Sequence, residues 1–505
     1  MSSEEDFDMP LLAADSRARY EWANSEKTKR RRPVARLFVK LSLALYVMVT
    51  AVLLMGQVPN PWSPAEPSPP PAERRFEESL LLTLKTGSAV LYNRSPVQLM
   101  HLSASRKAPA NETRWHEYIP NQLFYSDAEE WVGDVHIRDV LQTVAKDPAR
   151  PGDVFDEYRR LHSSLSNHQD PSASSKRGSE SRGWELDKYK FLPLHADAAR
   201  RFPDVKYTVS VEADTFLFWN QLVKWLKERD REGKGADELK MWGNGNLLAA
   251  SLADLEYIMG RPSWWQDISF AHGGSGYVIS RGVVQSTFGS DAQFENNATF
   301  LSYLDDSCCG DAVLAQALQE RLPGWIPPYD ESEPRFIGES PALFNFVPHQ
   351  WCEAVFTLHG ITAFDYVRLD RFRRTVEPLL AEDDYIRRAD LWEALMPIFL
   401  RDPPLPLGQD PSGGLSIVTL DDETTAEECH EACVVTPTDD GECLMWTFDN
   451  SASTCYRSPT VYIGQGKVDF TTGYHKQRID AMRASHDCSG RLGNIASLMA
   501  ESHVA

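Results

Sequence analysis

The chain of 505 residues has no basic excess: 52 lysines and arginines stand against 73 acidic residues, a formal net charge of -21. Binding phosphates along a nucleic acid needs the opposite balance, so nucleic acid is excluded as the main partner. No cysteine precedes residue 308, and all eight fall between Cys308 and Cys488. A disulfide framework is therefore open only to the C-terminal half, and only in an oxidising compartment. No charged residue lies between Leu41 and Val58, and no basic one before Arg74. No internal repeat of useful period is visible, which argues against a repeat architecture.

What is present begins with that uncharged run. Leu37, Phe38 and Val39 extend it past Lys40, to about the length that crosses a bilayer as a helix. Lys27, Lys29, Arg30, Arg31, Arg32, Arg36 and Lys40 all lie on its N-terminal side. The positive-inside rule then makes residues 1–36 a cytosolic tail, 37–58 a transmembrane signal anchor, and the remainder lumenal. A long polar tail precedes the run and no small-residue cleavage site stands out, which argues against a cleaved signal peptide. Asn111-Glu112-Thr113 and Asn297-Ala298-Thr299 are glycosylation sequons on the expected lumenal side. A weaker one, Asn93-Arg94-Ser95, is followed by Pro96.

Residues 59–78 open with PNPWSPAEPSPPPAE and read as a stiff, extended stem. Residues 167–182 are polar and of low complexity, as in a disordered loop. A Pro/Gly-rich break at 402–414 separates a central region, 79–400, from a cysteine-rich tail, 415–490, and a last segment, 491–505. With 42% hydrophobic and 10% aromatic residues, the chain has enough apolar material for packed cores.

The central region reads as α/β. Leu80 to Lys85 is a short apolar strand before a Thr86-Gly87 turn. Tyr207 to Val211 alternates around a buried face and runs into Glu212-Ala213-Asp214, after which Phe218, Leu222 and Leu226 recur at helical spacing. Ligands of open α/β sheets sit at the carboxyl ends of strands, where this triplet falls. Residues i and i+2 at a strand end share a face, so both carboxylates can address one divalent cation. Taken alone, an acid-x-acid turn is more often solvated. Three further segments have an ordinary structural explanation beside a chemical one. Gly273-Gly274-Ser275-Gly276 is a tight turn or a close approach to a ligand. Asp311 caps a helix or acts as a general base. His359, ending a strand, is structural or a metal ligand.

In order and spacing these segments resemble glycosyltransferase family 31, in particular its fringe-like branch and the fungal proteins similar to it. The matching pieces are Lys85-Thr86, Tyr125-Ser126-Asp127, Trp184 with Lys188 and Lys190, the acidic triplet, the Gly-Gly-Ser-Gly turn, Gly310-Asp311 and His359. They cover residues 80 to about 370. The resemblance implies a GT-A-type, Rossmann-like fold, a UDP-sugar donor, Mn²⁺ or Mg²⁺, and inversion at the sugar carbon. It makes Asp214 and His359 metal ligands, with Glu212 as the first acid of the triplet, and Asp311 the base. Lys85, Thr86, Asp127, Lys188, Gly273 and Gly274 would line the donor site. Two departures stand out: Gly310 where many relatives carry an acid (Asp305 and Asp306 lie upstream), and Glu rather than Asp at 212.

In the tail, Thr425 and Glu428 fit a capping box, and the helix that follows sets Cys429 and Cys433 one turn apart. Leu444 to Phe448 and Cys455 to Tyr456 read as strands. Disulfides, or a zinc site including His430, would both use these cysteines; a lumenal setting favours the first. The spacing resembles the small α+β PAN/Apple fold, which implies Cys429–Cys455 and Cys433–Cys443 and a protein or carbohydrate ligand. Cys352 is expected to pair with Cys308 or Cys309, leaving Cys488 unassigned. The expected function is an inverting, metal-dependent transfer from a UDP-sugar to a hydroxyl of a glycan or glycoprotein in the Golgi lumen. The alternatives are a degenerate transferase fold that acts as a lectin or glycoprotein-binding module, and a nucleotide-sugar hydrolase.

Overall fold

The computed structural model describes residues 75–488, apart from 108–115, 147–152, 173–181, 234, 248–268, 290–303, 305–306, 308, 325–333, 339–343, 383, 396–407, 410–424, 436–440, 463–465, 468 and 487. The expected tail and anchor, the stem as far as Arg74, both sequons Asn111 and Asn297, and most of the 167–182 and 402–414 segments lie outside the described residues. The end of the expected stem belongs instead to the fold, where Phe76–Ser79 is a 3-10 helix leading into the first strand. No helix among the described residues is long and apolar enough to cross a membrane.

Apolar runs without a polar face become the centre of a mixed sheet. The strands are β1 (Leu80–Lys85), β2 (Gln122–Ser126), β3 (Glu130–Val132), β4 (Val135–Asp139), β5 (Tyr207–Glu212), β6 (Phe216–Leu217), β7 (Met241–Gly243), β8 (Gly245–Leu247), β9 (Ser269–Ala271), β10 (Tyr277–Ser280), β11 (Phe336–Ile337), β12 (Asn345–Phe346) and β13 (Thr357–Leu358). Seven of them form the order β3-β4-β2-β1-β5-β10-β7. β4, β2, β1 and β5 are parallel, while β10 and β3 run the other way.

All six residues of β1 are buried. Leu80, Leu82 and Leu84 face one core with Tyr207, Val209 and Val211, and with Trp225 and Leu226 of the helix Trp219–Arg231. Leu81 faces the opposite side, towards Tyr125 and Leu194 of the helix Phe191–Arg201. This two-sided burial is why the strand shows no alternation in sequence. A second small sheet, β11-β13-β6, stands beyond the carboxyl end of β5.

The tail folds as expected in its parts. Thr425 caps the helix Ala426–Val435, its Oγ1 accepting from the Glu428 N–H at 3.2 Å. The strands Met445–Asp449, Thr454–Ser458 and Phe470–Tyr474 make an antiparallel sheet. Cys429–Cys455 and Cys433–Cys443 are disulfides, buried around Trp446 and Phe448. These cysteines are therefore not zinc ligands, and His430 stacks on Trp446 at 5.6 Å.

The expected partner of Cys352 is corrected: it is bonded to Cys488, not to Cys308 or Cys309. The cause is shared packing. Ile479 and Met482 of the helix Lys476–Ser485 enter the same core as Trp351, Trp392 and Phe346, which brings the chain after Ser485 to Cys352. The tail strand Val461–Tyr462 also pairs antiparallel with β12. Residues Arg74–Ala505 thus form one compact unit.

Candidate metal centre

The carboxyl ends of β1, β2 and β5 deliver the predicted residues to one edge. In register, Lys85 stands opposite Glu212, and both end their strands. Two residues further on, Asp214 precedes β6. β6 pairs antiparallel with β13, Phe216 opposite Leu358, so the next pair outward brings Thr215 against His359. The Ile361 N–H donates to the Asp214 carbonyl at 2.9 Å, closing this corner. Glu212, Asp214 and His359 each offer a ligand atom, and these atoms lie within 4.8 Å of one another.

The histidine is aimed. β11 runs parallel to β13, with Ile337 opposite Leu358, and the Gly338 carbonyl that follows takes His359 Nδ1 at 3.0 Å. With Nδ1 donating there, Nε2 presents its lone pair, 3.6 Å from Asp214 Oδ1. A carbonyl-oriented imidazole and two carboxylates form a donor set suited to Mn²⁺ or a similar divalent ion.

Gly274 makes room for it: a Cβ there would lie 2.4 Å from His359 Nε2. The turn is held by Thr215, whose Oγ1 donates to the Gly274 carbonyl at 2.8 Å, and by Thr357, whose Oγ1 donates to the Ser275 carbonyl at 2.5 Å. Gly274→Ala is expected to displace the imidazole and weaken Mn²⁺ binding by about tenfold or more, read by titration calorimetry. Unchanged affinity would show that the turn does not shape the site.

Glu212 is tied elsewhere. Its Oε1 lies 3.0 Å from Lys85 Nζ, and Lys85 also pairs with Asp187. Lys190 in turn bridges Asp187 at 3.4 Å and Asp127 at 2.8 Å, and donates to the Thr86 carbonyl at 2.8 Å. Burial opposes the charge on Lys85, but Asp187 and Glu212 more than offset it and raise its pKa. Burial likewise opposes ionisation of Asp127 and Asp187, yet the lysines hold both carboxyls below their ordinary range. Glu212 goes the other way: burial, with the carboxylates of Asp187 and Asp214, raises its pKa against the pull of Lys85.

The other predicted residues have these places. Asp127 is buried, and its Oδ1 accepts from the Ser88 N–H at 2.9 Å and the Ser88 hydroxyl at 2.5 Å, anchoring the helix Ser88–Arg94. Thr86 is buried beside it. Lys188 donates to the Ser307 carbonyl at 2.8 Å, and Lys190 takes the position among the acids. Asp311 opens the helix Gly310–Arg321; its Oδ2 accepts from the Gly273 N–H at 2.8 Å and its Oδ1 from the Ala312 N–H at 3.0 Å.

Gly310 has a steric reason. A Cβ there would lie 2.4 Å from the Phe191 ring and 2.5 Å from the Lys188 carbonyl oxygen, so no acidic side chain fits. Asp305 and Asp306 lie outside the described residues.

Sequence reading missed Asp187 and Arg94. A lysine ending a fully buried strand was the available signal for the first, because a buried cation needs a counter-charge. Arg94 carried no signal, as its contact with Asp214 spans 120 residues. The chain matches no protein-family model, and no curated protein matches it at a significant level.

Proposed function

We propose that the chain is an inverting, divalent-metal-dependent transferase that moves a sugar from a UDP-sugar to a hydroxyl of a glycan or glycoprotein. In this reading the seven-stranded sheet is a GT-A-type domain of the fringe-like branch of glycosyltransferase family 31. The tail is a PAN/Apple-like module with a protein or carbohydrate ligand. The chain would sit in the Golgi membrane as a single-pass type II protein. The observation that carries the reading is the meeting of Asp214, Glu212 and an Nε2-presenting His359 at the carboxyl end of β5, beside Lys85.

Asp214 and His359 would hold the metal, with Glu212 contributing through the oxygen that Lys85 leaves free. Bound there, the ion supplies charge neutralisation for a departing diphosphate. Lys85 keeps Glu212 and Asp187 in place and adds positive charge at the strand end. Gly274 and Gly273 shape the wall of the proposed site by leaving room for the His359 imidazole and for the Phe191 ring beside Glu212.

Asp311 is the proposed base, taking the proton of the acceptor hydroxyl. Asp311→Asn retains an acceptor for the Gly273 N–H but cannot take a proton. Turnover should fall by about 10²- to 10⁴-fold, with the affinity for UDP in the presence of Mn²⁺ unchanged. Full activity in Asp311→Asn would assign the residue to bracing the turn. One observation favours the second reading, a degenerate transferase fold acting as a lectin or glycoprotein-binding module: both Asp311 oxygens already accept backbone N–H groups. UDP-sugar turnover with supplied acceptors separates the two, and free sugar as the sole product would indicate a hydrolase.

A further inference from the structure

Arg94 ends the helix Ser88–Arg94, which starts directly after β1 and is fastened at Ser88 by Asp127. Its Nη1 lies 2.9 Å from Asp214 Oδ2, on the same carboxylate whose Oδ1 lies 3.6 Å from His359 Nε2. Four carboxylates line this edge: Asp127, Asp187, Glu212 and Asp214. Lys85 and Lys190 are buried, and each bridges two of the first three. Asp214 is left to Arg94.

The three cations differ in freedom. Lys85 and Lys190 side chains are 5% and 1% exposed, whereas that of Arg94 is 54% exposed. A guanidinium cannot shed its proton, so a divalent cation arriving at Asp214 would compete with it for the same carboxylate and repel it. Its long stem, in solvent, lets it swing away. Its planar fork matches the paired oxygens of a diphosphate, which a metal at Asp214 would bring within reach.

We propose that Arg94 is an exchangeable counter-ion of this site: it neutralises Asp214 while no metal is bound, and turns to the nucleotide diphosphate when a divalent cation takes Asp214. The inference rests on the metal–nucleotide reading above. It adds a residue whose effects on metal and on nucleotide have opposite signs.

The test uses the full-length chain and two titrations, Mn²⁺ alone and UDP at saturating Mn²⁺, on wild type, Arg94→Gln and Arg94→Lys. Arg94→Gln should bind Mn²⁺ alone about threefold more tightly, having lost a competing ion pair. The same variant should bind UDP about tenfold or more weakly, having lost charge-assisted hydrogen bonds. Arg94→Lys should fall between on both. Equal or weaker Mn²⁺ binding by Arg94→Gln, or unchanged UDP affinity, would overturn the exchange while leaving the metal site standing. A wild-type chain that binds neither Mn²⁺ nor UDP would remove the metal–nucleotide reading, and this proposal with it.

Discussion

Asp214→Ala is expected to lower Mn²⁺ affinity by at least about a hundredfold and to reduce sugar transfer to background. The magnitude follows from geometry. Removing a partner that merely orients a metal ligand costs 10- to 100-fold in affinity, and Asp214 would be a ligand itself. Its two oxygens face opposite neighbours, Oδ2 towards Arg94 at 2.9 Å and Oδ1 towards His359 at 3.6 Å. Alanine leaves His359 without a carboxylate beside Nε2 and leaves Arg94 without a counter-charge. Glu212→Gln should cost less, because one oxygen of Glu212 is held by Lys85, which keeps Asp187 as a second partner. The expected order of loss is therefore Asp214 and His359 first, Glu212 well behind. Calorimetric Mn²⁺ titration of Asp214→Ala, His359→Ala and Glu212→Gln checks it. Wild-type affinity in Asp214→Ala, or a larger loss in Glu212→Gln, would remove the centre as drawn.

Replacing Cys352 and Cys488 together by serine is expected to lower stability by about 4 kcal/mol. The bond closes a loop across a sequence separation of 136 residues, so its loss returns much chain entropy to the unfolded state. The native contacts of Ile479, Met482 and Trp351 remain, so the variant should still fold. A lower midpoint in urea, with Mn²⁺ affinity preserved under native conditions, is the expected result. An unchanged midpoint would mean that the shared core alone joins the tail to the central region. The double variant is preferred to a single one because it leaves no unpaired thiol at Cys352 or Cys488.

Much of the site was legible because its residues end elements with strong local signals. Leu80–Lys85 is an apolar run interrupted only by Thr83 and ended by Lys85, and the strand has those bounds. The helix beginning at Gly310-Asp311 and the capped helix after Thr425 follow from residues within one turn of their starts. The small sheet was not legible. β6, β11 and β13 are two residues each, too short for any periodicity, and they exist only because distant segments pair. Yet it is this sheet that sets His359 against Asp214 and Gly338 behind the imidazole.

Charge partners were hidden for a related reason. Lys85 was marked as a functional residue, but its partner Asp187 lies 102 residues away, and Arg94 reaches Asp214 across 120. The same holds for Cys352, whose bond to Cys488 depends on where the tail docks and not on cysteine spacing. Gly310 looked like a missing acid in sequence; only the nearness of Phe191 and Lys188 shows that nothing larger fits.

Sequence alone determined the α/β alternation, the acidic triplet at a strand end, and the helix that carries Cys429 and Cys433. These depend on neighbours within a turn or a strand, where period and capping act. Tertiary structure decided which carboxylate stands beside His359 and which is tied to a lysine. It also decided the orientation of His359, and the joining of the tail to the central core. Those outcomes depend on which groups meet across a sheet register, and a buried charge or a ligand lone pair is defined only by what stands opposite it.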